Sequence, residues 1–181
     1  MDKKLRINGI VEESVVDGPG IRYTVFVQGC PHHCAGCHNP QTHSFDGGYE
    51  MNIEGIFSDI TANPLITGVT FSGGEPMCQA LALCVLAEKI KNAGLELAIY
   101  TGYTFEQLLK DSNTDRLKLL ALCDILIDGT FQKDKQDMTL LFRGSKNQRI
   151  LDSKKSLELK SAVYTTDPAW TGTCFKNFII D

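Results

Sequence analysis

The chain has 181 residues, of which 43% are hydrophobic and 22% charged, and its formal net charge is −4. These values are typical of one soluble globular domain, and the acidic balance predicts neither nucleic acid nor an anionic membrane as a partner. No stretch approaches the roughly 20 apolar residues of a membrane span, and the first residues lack the apolar core of a secretory signal, so we expect a cytoplasmic protein.

Hydrophobic periodicity predicts strands and helices in alternation along the chain. Asn52 is a candidate helix N-cap, and Thr104 with Gln107 forms a candidate capping box. The predicted elements are, in order, strand 21–29, helix 52–62, strand 66–71, helix 79–94, strand 95–102, helical sequence from 104 to about 122 with a break near 111–115, strand 124–128 and strand 147–151.

This alternation predicts an α/β fold built from parallel strand–helix repeats. By itself the pattern does not distinguish an open doubly wound sheet from a barrel or part of one. The cysteine loop and the stretches SGGEP, TGY and DGTF each follow a predicted strand. Because parallel strands present their carboxyl ends at one edge, where ligands bind, we expect a composite site there. From Asp152 onward the sequence shows no sustained period.

The segment CPHHCAGCHN, residues 30–39, contains three cysteines and three histidines. Clustered cysteines in a reducing compartment indicate metal ligands or catalytic groups. A structural zinc site would need a fourth protein ligand, such as His33 or His38. A [4Fe–4S] cubane held only by Cys30, Cys34 and Cys37 would leave one iron open for a substrate. The spacing alone leaves open a zinc-stabilised interaction module, an electron carrier and an enzyme.

The full set of motifs resembles a known superfamily. Cys-x3-Cys-x2-Cys after one strand and Gly-Gly-Glu after the next resemble the radical S-adenosylmethionine enzymes. The stretches DGPGIR, GCPHHCAGCHN, SGGEP, YTGY, DGTF and RGSKNQR, within about residues 8–151, resemble one branch of it. That branch is the activating enzymes of anaerobic (class III) ribonucleotide reductases. The resemblance implies a partial (β/α) barrel in a radical S-adenosylmethionine domain of residues 1–151, followed by a tail, 152–181, of unassigned structure.

The resemblance also implies a reaction and its partners. The cofactors would be a [4Fe–4S] cluster and S-adenosylmethionine, which the reduced cluster would cleave to methionine and a 5′-deoxyadenosyl radical. That radical would take a hydrogen atom from a glycine of the large subunit of the anaerobic reductase. A flavodoxin or ferredoxin would be the electron donor. Because a carbon radical attacks most C–H bonds, we expect an open rim that admits a peptide loop of the reductase.

Site residues follow from the same resemblance. Cys30, Cys34 and Cys37 would hold the cluster, and Glu75 would accept a hydrogen bond from the ammonium of S-adenosylmethionine. Glycines at 73 and 74 allow a positive φ or a close approach of the backbone. The predicted cofactor-binding residues are Gly36, Cys37, His38, Ser72, Gly73, Gly74, Glu75, Tyr103 and Asp128.

Several residues have an alternative structural interpretation. Tyr103 could be a rim residue, and Asp128 could cap the turn at Gly129. Cys84 lies on the apolar face of its predicted helix and is expected in the core. We expect the four loop histidines to be solvent-exposed: His32, His33, His38 and His43. No function is assigned to Arg143 or Arg149.

Overall fold

The computed structural model describes residues 4–172, which form a mixed seven-stranded sheet with helices packed on it. The strand order is β3-β1-β2-β4-β5-β6-β7. The strands are β1 (Lys4–Ser14), β2 (Arg22–Val27), β3 (Tyr49–Asn52), β4 (Gly68–Gly73), β5 (Glu96–Thr101), β6 (Ile125–Asp128) and β7 (Arg149–Asp152). The helices are α1 (Ile53–Ala62), α2 (Ala80–Asn92), α3 (Phe105–Lys110), α4 (Thr114–Leu122), α5 (Ser153–Leu159) and α6 (Pro168–Thr171).

The centre of the sheet is parallel, as predicted. Strands β2, β4, β5 and β6 run in the same direction, and their inward side chains form a continuous apolar core with α1, α2 and α4. Strand β7 was predicted as a strand, and it pairs antiparallel with β6. Within residues 4–172, the end strands β3 and β7 are not paired with each other, so the sheet is open. None of the helices described there is long and apolar enough to span a membrane.

Strands β1 and β3 were not predicted, and both are antiparallel. Strand β1 buries the side chains of Leu5, Ile7 and Ser14, but most of residues 8–13 are partly or fully exposed. Strand β3 has four residues, none of them buried. A sequence pattern detects a strand through its buried face, and these strands present too few buried apolar residues to give that signal.

The predicted helix boundaries are largely confirmed. The Asn52 side chain accepts a hydrogen bond from the Glu54 amide at the start of α1. Thr104 and Gln107 form the reciprocal capping box at the start of α3. The helical sequence after Thr104 is broken between Lys110 and Thr114, where Asn113 caps α4. Each cap satisfies backbone amides that have no partner within the helix, which fixes where the helix begins.

Residues 152–172 pack on the same sheet. Asp152 caps α5, and the Ser153 hydroxyl in the first turn of that helix donates to the Leu120 carbonyl at the end of α4. Helix α6 carries Trp170, whose side chain is fully buried. The indole lies edge-on to Phe142 and 5.3 Å from the guanidinium of Arg22. Trp170 therefore closes the core at the amino ends of the parallel strands.

Arg22, from the DGPGIR stretch, ties these amino ends together. Its side chain is only 1% exposed. The guanidinium donates to the Thr70 hydroxyl (2.6 Å), the Val69 carbonyl (2.8 Å) and the Glu96 carboxylate (2.7 Å). These groups belong to β4 and β5, so one arginine on β2 bridges three neighbouring strands. A buried cation is tolerated because all of its polar neighbours are acceptors.

Replacing Arg22 with Met should therefore destabilise the fold strongly. The variant leaves the acceptors on Thr70, Val69 and Glu96 without their donor, so we expect a loss of about 3 kcal/mol in the free energy of unfolding. Urea denaturation of the metal-free protein measures it. Lys118→Ala is the control, since Lys118 pairs with Glu88 at the surface and its loss should leave the free energy of unfolding nearly unchanged. Equal effects of the two substitutions would contradict this role of Arg22.

Candidate active site

The carboxyl ends of the parallel strands bring the predicted motifs to one edge of the sheet. The cysteine loop follows β2, the SGGEP stretch includes the end of β4, and the TGY stretch follows from β5. The DGTF stretch starts at the last residue of β6. Because β2, β4, β5 and β6 are neighbours in that order, the four stretches are adjacent. The prediction that the four stretches share one edge of the sheet is confirmed.

Backbone hydrogen bonds hold the cysteine loop at this edge. The Gly29 amide donates to the Thr42 carbonyl (2.8 Å), and the Cys30 amide donates to the His43 carbonyl (3.1 Å). The Cys37 amide donates to the Cys34 carbonyl at 3.1 Å. The second and third cysteines therefore lie on one tight turn, and residues 42–43 fix the start of the loop.

The thiol of Cys34 lies within electrostatic reach of the thiols of Cys30 and Cys37. Burial raises the pKa of the Cys30 thiol above its usual value, and the Glu75 carboxylate and Cys34 act in the same direction. Burial likewise raises the pKa of Cys34, with a further contribution from Cys37. Among residues 4–172, no three acidic, histidine or cysteine side chains converge closely enough to hold a single metal ion. A cubane binds one thiolate per iron, so its ligands need not meet at one point.

Glycines in the SGGEP stretch let two backbone segments touch. Gly73 has a φ of +93°, and a Cβ there would lie 2.7 Å from the Phe26 backbone. A Cβ on Gly74 would lie 2.4 Å from the Gly29 carbonyl oxygen. The positive φ predicted for this stretch is present at Gly73. The close neighbour is the backbone that leads into Cys30, so these glycines fix the distance between the first cysteine and Glu75.

Glu75 is 0% exposed, and each of its carboxylate oxygens accepts two hydrogen bonds. Oε1 accepts from the Met77 amide and from the Thr101 hydroxyl, both at 2.9 Å. Oε2 accepts from the Gly102 amide and from His32 Nε2, both at 2.8 Å. The carboxylate therefore links the ends of β4 and β5 to the cysteine loop. Its predicted contact with the cofactor ammonium stays a prediction.

His32 corrects the expectation that all four loop histidines are solvent-exposed. His33 and His38 are exposed, but His43 is partly buried and the His32 side chain is only 15% exposed. Its ring packs edge-on against Tyr103, with 4.7 Å between ring centroids. A Cβ on Gly102 would lie 2.4 Å from the same ring. No local sequence pattern indicates the contact between His32 and Glu75, because the two residues are 43 positions apart along the chain.

Tyr103 lines a cavity of about 510 Å³ beside Glu75. The guanidinium of Arg116 lies 4.9 Å from the centre of the Tyr103 ring and pairs with Asp111. The Tyr103 ring also makes the edge-on contact with the His32 ring. The Tyr103 ring therefore contacts both a guanidinium and an imidazole at the carboxyl edge of the sheet. Two roles were predicted for Tyr103 at this edge, a cofactor contact and a rim position.

Asp128 is engaged by protein groups in this structure. Its carboxylate accepts from the Phe105 amide at the start of α3 and from the guanidinium of Arg149. Arg149 also pairs with Glu106, and this hydrogen bond lowers the pKa of Glu106 to about 2. The Asp128 carboxylate therefore bonds the first amide of α3. The predicted alternative was a cap of the turn at Gly129. Its contact with a cofactor stays a prediction.

The loop after β6 covers the cysteine loop from the other side. The Phe131 ring contacts the His38 ring at a tilt of 35°, with 5.7 Å between ring centroids, and the Phe131 backbone amide lies against the Cys34 thiol. A Cβ on Gly36, where φ is +76°, would come within 3.5 Å of the Phe131 ring. Phe131 was not among the predicted site residues, although it belongs to the DGTF stretch. Ser72 lies in β4, partly exposed and paired with Phe26.

The other described cysteines are outside the cysteine loop, but Cys78 lies within electrostatic reach of Glu75 and Cys30. Cys84 is buried in the core, as predicted, and Cys123 is fully buried. Cys78 is partly exposed, and burial raises the pKa of its thiol to about 11. No disulfide joins any of the six described cysteines. Cys174 lies outside the described residues.

Comparison with known proteins gives consistent results. A family model described as a 4Fe-4S single cluster domain matches residues 16–151. The chain is 38% identical over 145 residues to the anaerobic ribonucleoside-triphosphate reductase-activating protein of Pasteurella multocida, covering 75% of this chain and 90% of the relative. The proteins of the same name from Vibrio cholerae and Salmonella typhi are 36% and 33% identical, with 75% of this chain covered and 90% and 91% of the relatives.

The similarity to a solved structure is weaker. QueE from Escherichia coli matches 56% of this chain and 54% of its own, with a TM-score of 0.43 and 20% sequence identity. That likeness is too low to support a conclusion about fold or function. The family model and the relatives, in contrast, each cover most of the chain. The chain therefore belongs to the 4Fe–4S single cluster domain family and to the family of anaerobic ribonucleoside-triphosphate reductase-activating proteins.

Proposed function

We propose that this chain binds a [4Fe–4S] cluster and S-adenosylmethionine and generates a glycyl radical on an anaerobic ribonucleotide reductase. The observation that carries the proposal is the position of three neighbouring thiols beside the buried Glu75 carboxylate at the carboxyl edge of the sheet. The relatives named as activating proteins of the anaerobic reductase support the choice of target.

The thiolates of Cys30, Cys34 and Cys37 would hold three irons and leave the fourth open. When bound, the cluster supplies the electron that cleaves S-adenosylmethionine to methionine and a 5′-deoxyadenosyl radical, which takes a hydrogen atom from a glycine of the reductase. The thiols must lose their protons when the cluster binds, because only thiolates are ligands. The protein's own task is to hold and orient the reactants and to limit side reactions.

Residues around the loop would orient S-adenosylmethionine. Glu75 would accept a hydrogen bond from the ammonium of S-adenosylmethionine, and the backbone of residues 72–74 would lie beside the amino-acid portion of the cofactor. The cavity of about 510 Å³, whose lining includes Tyr103 and Asp128, has room for the adenosyl group. Gly36, Cys37 and His38 would border it from the cysteine loop. The contact of His38 with Phe131 supports an apolar wall on that side.

The open sheet supports the remaining proposals about architecture and partners. We infer that the domain of residues 1–151, of which the structure describes residues 4–151, is a partial (β/α) barrel. The open sheet and the packing of α1, α2 and α4 in one core cluster support this inference. The rim beside the cysteine loop would admit the glycine loop of the large reductase subunit. A flavodoxin or ferredoxin would deliver the electron, in the cytoplasm, where the thiols of this chain would stay reduced.

Iron and sulfide analysis after anaerobic reconstitution tests the ligand set. We expect about four irons per chain for the unmodified protein and a large loss for Cys34→Ala, since a cubane needs each of its few thiolates. Cys78→Ala is the matched control and should keep the full iron content. Loss of iron in the Cys78 variant would show a fourth cysteine ligand and contradict the open iron.

Electron paramagnetic resonance tests the function itself. The cluster-loaded chain, S-adenosylmethionine, a strong reductant and an anaerobic ribonucleotide reductase should together give a glycyl-radical signal on the reductase. Cys34→Ala should reduce the signal to background, because the cluster would not be held. If the loaded chain cleaves S-adenosylmethionine but yields no radical on the reductase, another glycyl-radical enzyme is its target and this assignment is wrong.

A further inference from the structure

We propose that His32 is a placeholder for the cofactor: it occupies the acceptor position on Glu75 that the ammonium of S-adenosylmethionine takes, and it leaves when the cofactor binds. The inference rests on the proposed function, because it takes S-adenosylmethionine as the ligand. It concerns the contact between the cysteine loop and the strand edge that His32 Nε2 and Glu75 Oε2 make at 2.8 Å.

The hydrogen bonds of Glu75 leave no acceptor position free. A carboxylate has about four lone-pair positions, and protein donors occupy four of them here. The donors are the Met77 and Gly102 amides, the Thr101 hydroxyl and the His32 ring, all within 2.9 Å. Because the carboxylate is 0% exposed, a ligand cannot add a fifth contact from solvent. An ammonium that binds Glu75 must therefore displace one of these donors.

His32 is the donor that can leave. The Met77 amide belongs to the backbone of a short 3-10 helix after β4, and the Gly102 amide belongs to the backbone directly after β5. The Thr101 hydroxyl is buried in the last residue of β5. The His32 side chain, in contrast, is partly exposed and lies on the cysteine loop. It also borders the cavity of about 510 Å³, so one side of the ring faces open space. Rotation about its side-chain bonds breaks one hydrogen bond and the edge contact with Tyr103.

The exchange keeps the buried carboxylate paired in both states. Without the cofactor, His32 prevents an unpaired acceptor, which is costly in the interior. With the cofactor, an ammonium replaces the ring and donates a charge-assisted hydrogen bond to the carboxylate. The cost of the exchange is the His32–Glu75 hydrogen bond, which lowers the apparent affinity for the cofactor.

Calorimetric titration of S-adenosylmethionine into the cluster-loaded protein, without reductant, tests the inference. His32→Ala should bind about tenfold more tightly than the unmodified protein, because the competing hydrogen bond is gone. His33→Asn is the control, because His33 is next to His32 in sequence but packs on His43. The affinity of this variant for S-adenosylmethionine should equal that of the unmodified protein. Unchanged or weaker binding by His32→Ala would overturn the placeholder role and identify His32 as a fixed support.

A structure of the unmodified protein with the cluster and S-adenosylmethionine gives a readout that needs no variant. We expect His32 Nε2 more than about 4 Å from Glu75 Oε2, outside hydrogen-bond range, with the ammonium in its place. Retention of the 2.8 Å contact beside bound cofactor would overturn the inference and leave the proposed function intact. Failure of the cluster-loaded protein to bind S-adenosylmethionine at all would overturn both.

Discussion

The buried carboxylate of Glu75 is the interaction on which the arrangement of the site depends. It accepts from the end of β5 through Thr101 and Gly102, and from the cysteine loop through His32. A charge without exposure to solvent is stable only when its acceptor positions are filled, so these contacts must form together. The position of the cysteine loop relative to the sheet is therefore set by the same groups that stabilise Glu75.

Glycine makes this arrangement possible. The Gly74 amide donates to the Val27 carbonyl and the Glu75 amide to the Gly29 carbonyl, both at 2.8 Å, so the end of β4 continues along the start of the cysteine loop. A side chain at Gly74 would collide with the Gly29 carbonyl. At the opposite ends of the same strands, Arg22 and Trp170 close the core. The sheet is thus fixed at both ends, and the carboxyl edge carries the chemistry.

The sequence predicts the parts of this fold that have a strong local signal. The four parallel strands, the caps at Asn52 and Thr104 and the shared edge of the motifs follow from periodicity and capping residues. Strands β1 and β3 do not, because their pairing is long-range and few of their side chains are buried apolar groups. The tail from Asp152 lacks a period, and its packing depends on single residues such as Trp170.

The site follows the same division. The spacing of Cys30, Cys34 and Cys37 marks the ligand loop without any tertiary information. The role of His32 depends on a contact with Glu75 across 43 positions, and Phe131 reaches the cysteine loop from beyond β6. Asp128 and Arg149 form an ion pair that joins neighbouring strands, which no local pattern encodes. Residues contributed by different loops become visible only when the sheet brings those loops together.

Release of 5′-deoxyadenosine is the most direct test of the central claim that three thiolates at this edge hold a cluster with one open iron. The cluster-loaded, reduced protein should release 5′-deoxyadenosine from S-adenosylmethionine under anaerobic conditions. An intact, reduced cluster that releases none would mean that the iron is closed or that S-adenosylmethionine is not its ligand, and would contradict this account.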